Sequence, residues 1–322
     1  MERIKKMEYN CPLIYQRADP WAYKHTDGYY YFTGSIPTYD KIGIRRSKTI
    51  NGLSDAEEHI IWHKHEHGHM GNHIWAPELH FLDGEFYIYF GAGDAEDKWA
   101  LRPYILKCEG NDPINDPWRE LGMIQRSDDD PASFSGFSLD ATVLVRGDEK
   151  YYIWAEKVGF GSGLLVSNLY IAKMETPYRL ATPGMLLTTP DYDWERVGFW
   201  VDEGPSVLIH GGKIYVAFSS SSTGACYCMG LMEADYDSDL LDRNSWKKTR
   251  YPVLKTDESM GIYGPGHGSF TVAEDGETTL CFYHARPYEK IVGDPLYDPN
   301  RHTRVMEVKF DEDDRPVFDL KQ

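Results

Sequence analysis

The chain has 322 residues, with 34 Lys and Arg against 51 Asp and Glu, a formal net charge of −17 at pH 7. That balance repels phosphate backbones and anionic lipid, which argues against nucleic acid and membrane surfaces as partners. No apolar run approaches the ~20 residues of a membrane span. Five cysteines, odd in number and scattered, argue against a disulfide framework and for a reducing compartment. Residues 1–7 are basic but lack an apolar core after them, so they do not read as a signal peptide. The expectation is a cytoplasmic protein, or a secreted one if the sequence is a processed form.

In chain order, a short anchor five times precedes a turn and a Tyr/Phe-rich run. Asp19-Pro20-Trp21 leads to Asp27-Gly28 and Tyr29-Tyr30-Tyr31-Phe32. Trp75-Ala76-Pro77-Glu78 leads to Asp83-Gly84 and Phe86-Tyr87-Ile88-Tyr89-Phe90. Asp140-Ala141-Thr142 leads to Gly147-Asp148 and Tyr151-Tyr152-Ile153-Trp154; Glu203-Gly204-Pro205 leads to Gly211-Gly212 and Ile214-Tyr215-Val216. His267-Gly268-Ser269 leads to Asp275-Gly276 and Leu280-Cys281-Phe282-Tyr283. The Asp-Gly and Gly-Gly pairs accept the positive φ of tight hairpin turns.

Anchors recurring about every 60 residues, without helical pattern between them, fit four-stranded antiparallel blades. The predicted fold is an all-β, five-bladed β-propeller forming one domain over 1–322, with its active site at one end of the central channel. A β-sandwich would lack the fixed repeat.

Equivalent anchors converge on the axis, which gathers Asp19, Trp75, Asp140, Glu203 and His267 around one pocket. Carboxylates held together without intervening Lys or Arg are costly unless some stay protonated or a function retains them. Ring order makes Asp140 and Glu203 neighbours and puts Asp19 across the channel. An ionised Asp140 then keeps Glu203 protonated as a general acid, while Asp19 stays an ionised base. A water-sized gap of about 6.5–9.5 Å between acid and base is inverting glycosidase geometry.

These residues resemble glycoside hydrolase family 43. Arg17-Ala18-Asp19-Pro20, Ser138-Leu139-Asp140-Ala141-Thr142 and Asp202-Glu203-Gly204-Pro205 look like its three acidic motifs, and Trp75-Ala76-Pro77-Glu78 and Gly266-His267-Gly268-Ser269-Phe270 like its other two anchors. The resemblance implies an inverting propeller hydrolase with Asp19 as base, Glu203 as acid and Asp140 tuning the acid. Within the family the chain looks most like exo-acting α-L-arabinofuranosidases releasing terminal arabinofuranose from arabino-oligosaccharides. β-D-xylosidase and endo-arabinanase are alternatives of the same fold, and a non-catalytic sugar-binding propeller is one of another class.

The resemblance also implies that Arg286 contacts the terminal sugar, and that His267 helps hold a hydrated structural Ca2+ in the channel. The other reading of His267 is a hydrogen bond to neighbouring backbone, since calcium prefers many oxygens. No cofactor is needed for the chemistry. Trp75, Phe137, Trp21 and His73 are the expected sugar contacts, beside the anchors, although core packing is the alternative for Trp21. The oligomeric state is left open.

Two rival motifs fail. His65-Glu66-His67-Gly68-His69 fits the zinc-protease pattern, but Gly68, Gly71 and Asn72 break the helix that pattern needs, so the segment reads as a loop over the channel mouth. Gly159-Phe160-Gly161-Ser162-Gly163 lacks the Lys-Ser/Thr and helix of a phosphate cradle, and no Gly-x-Ser-x-Gly elbow exists.

Overall fold

The computed structural model describes residues 8–159 and 163–321. Residues 1–7, and part of the Gly159 to Gly163 loop, lie outside them. The described chain is nearly all β. One four-stranded antiparallel sheet contains β1 (Ala18–Lys24), β2 (Tyr30–Ser35), β3 (Lys41–Ser47) and β4 (His59–His63). A second contains β5 (Asn72–Leu82), β6 (Glu85–Gly93), β7 (Arg102–Cys108) and β8 (Trp118–Met123).

A nine-stranded sheet follows. Its first part is β9 (Ser138–Arg146), β10 (Glu149–Gly159) and β11 (Leu165–Thr176), with β12 (Arg179–Leu180) and β13 (Met185–Thr188) both paired to β11. Its second part is β14 (Trp200–His210), β15 (Lys213–Ser220), β16 (Cys228–Asp235) and β17 (Lys247–Lys248). A short parallel ladder, Val166 to Trp200 and Ser167 to Val201, joins the two parts. The last sheet is β18 (Tyr263–Val272), β19 (Thr279–Arg286), β20 (His302–Phe310) and β21 (Pro316–Phe318).

The aromatic runs become strands buried on both faces, and their period of two divides them between neighbouring clusters. On β2, Tyr30 and Phe32 pack toward β19, whereas Tyr31 packs with Phe86, Ile88 and Phe90 of β6. On β10, Tyr152 and Trp154 meet Tyr87 and Tyr89, while Tyr151 and Ile153 meet Ile214, Val216 and Phe218. Tyr215 and Ala217 then meet Cys281 and Tyr283. Each cluster thus glues one sheet region to the next.

The anchor-bearing strands β1, β5, β9, β14 and β18 lie beside one another in that order, and β18 lies beside β1. The chain's start helps close this circuit: Leu13 N–H donates to Thr303 O at 2.9 Å, and Thr303 N–H donates to Ile14 O at 2.9 Å.

Each anchor strand carries an irregularity where its pairing register shifts. There Asp19, Ala76, Asp140, Gly204 and His267 hold left-handed φ between 44° and 55°. Bulges of this kind re-aim side chains, and non-glycine residues with positive φ cluster at functional sites. The repeat is therefore 19, 76, 140, 204 and 267: Trp75 and Glu203 sit one residue ahead of the bulged position.

Candidate active site

Asp19, Trp75, Asp140, Glu203 and His267 all line one cavity of about 350 Å³, together with Phe137, Lys157, Phe199, Leu296 and Arg301. The five anchors thus meet, and Phe137 joins them as expected.

Asp19 is buried and heavily supported. Ser35 Oγ donates to its Oδ2 at 2.5 Å, Arg301 Nη1 stands 3.4 Å from Oδ1, and His267 Nδ1 lies 3.3 Å from Oδ1. Burial pushes this carboxyl up, but Arg301, His267 and His284 outweigh it and hold it well below the usual range. Burial also pushes His267 and His284 down, the latter to about 3, so at neutral pH Arg301 supplies the full positive charge. Consistent with a neutral His284, its Nδ1 accepts the Asp19 backbone N–H at 3.1 Å.

Asp140 and Glu203 differ from Asp19. Burial, then Glu203 and Asp19, push Asp140 well above the usual carboxylate range. Burial raises Glu203 as well, opposed by the Tyr227 hydroxyl, which donates to Oε1 at 2.9 Å, and by Lys157. Both carboxyls are thus raised, which favours one shared proton on the pair, and the Tyr227 hydroxyl and Lys157 support the charge of Glu203. The two interact closely enough to titrate as a unit.

His267 stands between the carboxylates, its Nδ1 3.3 Å from Asp19 Oδ1 and 3.8 Å from Asp140 Oδ2. The structure shows no calcium site at His267: among the described residues no group of three or more His, Cys, Asp or Glu is arranged to hold a metal ion.

Three expected sugar contacts lie outside the cavity. Arg286 is fully engaged elsewhere: Nη1 donates to Thr223 O (2.6 Å), Nη2 to Pro295 O (2.6 Å), and Nε to Asp298 Oδ1 (3.2 Å). It clamps loops that line the cavity. His73 is buried behind Trp75, stacked on it at 4.3 Å, with Nδ1 near Lys98 O and Nε2 3.0 Å from the Tyr297 hydroxyl. Trp21 donates its indole N–H to Leu79 O at 2.7 Å and packs on His80.

The His65 to His69 loop likewise leaves the cavity. It is not helical, and its histidines pair separately, His65 with Glu120, His67 with Glu96 and His69 with Asp94. Arg301, Lys157 and Tyr227 were missed by sequence reasoning, whereas Phe199, a candidate wall with core packing as its alternative, lines the cavity. Arg301 lies in Tyr297-Asp298-Pro299-Asn300-Arg301-His302-Thr303-Arg304, and nothing in that run separates a cavity arginine from a surface one.

Residues 9–316 match the family described as Glycosyl hydrolases family 43. The chain belongs to this family. It is 46% identical to an extracellular exo-α-(1→5)-L-arabinofuranosidase of Streptomyces avermitilis, over 97% of this chain and 63% of that protein. A protein of the same name from Streptomyces chartreusis is 44% identical over 89% of this chain and 85% of its own length. The solved structure of an α-L-arabinofuranosidase from Lactobacillus brevis superposes with a TM-score of 0.90 at 47% identity, covering 97% of this chain and 96% of that one. The chain thus spans just under two thirds of the Streptomyces avermitilis relative.

Proposed function

We propose that the chain is an inverting, exo-acting α-L-arabinofuranosidase that removes terminal arabinofuranose from arabino-oligosaccharides, on a five-bladed β-propeller. The observation that carries the reading is the division of carboxylates in one cavity. Asp19 is kept ionised by Arg301, while the Asp140–Glu203 pair is biased toward keeping a proton.

In this mechanism Asp19 takes a proton from a water as the water oxygen bonds to the anomeric carbon. Glu203 gives a proton to the glycosidic oxygen as its bond to that carbon breaks. Attack opposite the leaving group inverts the centre. Asp19 ends protonated and Glu203 ionised, and exchange with solvent resets both. Asp140, whose Oδ2 accepts the Gly204 N–H at 3.2 Å, tunes and orients Glu203. His267 spaces the two sides. Trp75 offers a flat wall to the cavity, while its indole N–H is buried without a hydrogen-bond partner among the described residues.

Relatives bearing the exo-arabinofuranosidase name at over 40% identity favour that substrate over β-D-xylosides and internal arabinan bonds. Their names also call them extracellular, which supports secretion over the expected cytoplasmic placement. A sugar-binding propeller without catalysis has no use for carboxylates held in opposite protonation states. The test compares nitrophenyl α-L-arabinofuranoside with nitrophenyl β-D-xyloside: the reading expects turnover of the first to exceed the second by at least about tenfold in kcat/KM, a difference of ~1.4 kcal/mol. Preference for the xyloside overturns it.

A further inference from the structure

We propose that Lys157, with Phe137 and Phe199, forms the seat for the sugar on the leaving side of the scissile bond, the Lys157 ammonium donating to that sugar's hydroxyls. The proposal rests on the glycosidase reading above and adds where its substrate's second sugar binds.

Lys157 lines the cavity with its Nζ 3.9 Å from the centre of the Phe137 ring. Its backbone N–H donates to Phe137 O at 2.8 Å, but its ammonium has no hydrogen-bond or ion-pair partner among the described residues. An ammonium carries three donors, and one partly withdrawn from water at a cavity wall with none engaged lacks partners that normally offset its desolvation. Sugar hydroxyls are neutral acceptors that would fill those positions.

The neighbouring surface suits the apolar face of a sugar. Phe199 lines the same cavity while 68% exposed, and Trp99, 48% exposed, stacks at 6.4 Å on Phe137. Contiguous exposed apolar surface rimmed by polar groups marks a ligand-binding groove, and aromatic rings supply the flat area such a face needs.

Direction comes from the opposite flank, which is strapped shut. Between β19 and β20, Asp294 and Leu296 line the cavity. Tyr39 Oη donates to Leu296 O at 2.5 Å, and Lys98 Nζ donates to the Tyr297 hydroxyl at 2.9 Å. Arg301 links this strap to Asp19, since its Nη2 donates to Tyr39 Oη at 2.8 Å and its Nη1 faces Asp19. The base therefore belongs to the closed flank, whereas Lys157 sits on β10, which packs against β14, the strand that carries the acid Glu203, and both side chains line the cavity. A general acid must face the leaving oxygen, so the leaving sugar lies over Lys157 and Phe199 while the terminal furanose sits under the strap.

The test compares α-1,5-arabinobiose with methyl α-L-arabinofuranoside, whose leaving groups are both alkyl alcohols and demand similar protonation. Any effect of Lys157 through Glu203 falls on both; contact with the second sugar falls on the disaccharide alone. Lys157→Met is expected to lose about tenfold more kcat/KM on the disaccharide than on the methyl glycoside, the scale of one charge-assisted hydrogen bond. Phe199→Ala is expected to penalise the disaccharide more, chiefly through KM. Equal losses on the two substrates, or none, overturn the proposal. If Lys157→Met does not fold, Phe199→Ala at its exposed position carries the test with the same two outcomes. A wild type inactive on both glycosides overturns the glycosidase reading and this proposal together, a result distinct from equal losses in an active enzyme.

Discussion

Arg301 and Asp19 form a buried ion pair inside the cavity, Nη1 to Oδ1 at 3.4 Å, although 282 residues separate them in the chain. That pair explains how a carboxylate excluded from water stays ionised beside two others. Arg301→Met removes the cation, so the Asp19 carboxyl rises toward the value burial alone would give. The base then needs higher pH to ionise, and the acid limb of the kcat/KM profile moves up in pH with a rate loss of ~10²-fold. An unmoved limb would show that Arg301 only fills space.

Acid and base separate by leaving group. Asp19→Ala is expected to lose ~10³-fold or more on every substrate. Glu203→Ala should recover most of its activity on nitrophenyl glycosides, which depart with little protonation. Matching losses on activated and unactivated substrates in both variants would contradict the assignment.

The pair that resists ionisation carries a stability signature. Asp140 and Glu203 bind protons more tightly folded than unfolded. Their contribution is fully present below the unfolded carboxylate range and is lost as pH rises through their raised folded values. Asp19 runs the other way: its contribution is present above the unfolded value and lost as pH falls through its lowered one. Asp140→Asn is therefore expected to melt about 2 °C or more above wild type at pH 8, with the gap closing toward pH 4. Thermal melts across that range check it, and a gap independent of pH would speak against a charge effect.

Gly204 has φ +55°, and a Cβ added there would stand 2.9 Å from His267 Nδ1. Gly204→Ala combines left-handed strain with a clash against the histidine between the carboxylates, at a cost of ~1–3 kcal/mol. Urea unfolding should show a lower midpoint with an unchanged slope. A wild-type midpoint would mean that the bulge relaxes freely.

Arg286 is expected to act through the loops it clamps rather than by touching sugar. Arg286→Lys cannot reproduce three directed bonds to Thr223 O, Pro295 O and Asp298. KM should rise about tenfold while limited proteolysis begins to cut within residues 287–300. Resistance of that segment together with the same rise in KM would restore direct sugar contact.

The sequence made the repeat legible because hairpin turns and doubly buried aromatic strands leave strong local marks. Asp19 and Asp140 stood out for the same reason, being acids at the bulged position itself. The one-residue offset of Trp75 and Glu203 was not visible, since a bulge depends on which residue takes positive φ, and Ala76 gives no sign of doing so. Arg286 was read as a sugar contact because the sequence carries no record of its bonds to Thr223, Pro295 and Asp298, and Arg301 was missed because its partner lies at the far end of the chain. The support that Glu203 receives from Tyr227 and Lys157 was not visible either, because only the folded chain brings them near.

Proton NMR during hydrolysis of nitrophenyl α-L-arabinofuranoside follows the first-formed sugar directly. A water activated by Asp19 and a leaving group protonated by Glu203 predict β-L-arabinofuranose appearing first, before mutarotation mixes the anomers. The α anomer appearing first would contradict the separation of base and acid on which the account depends.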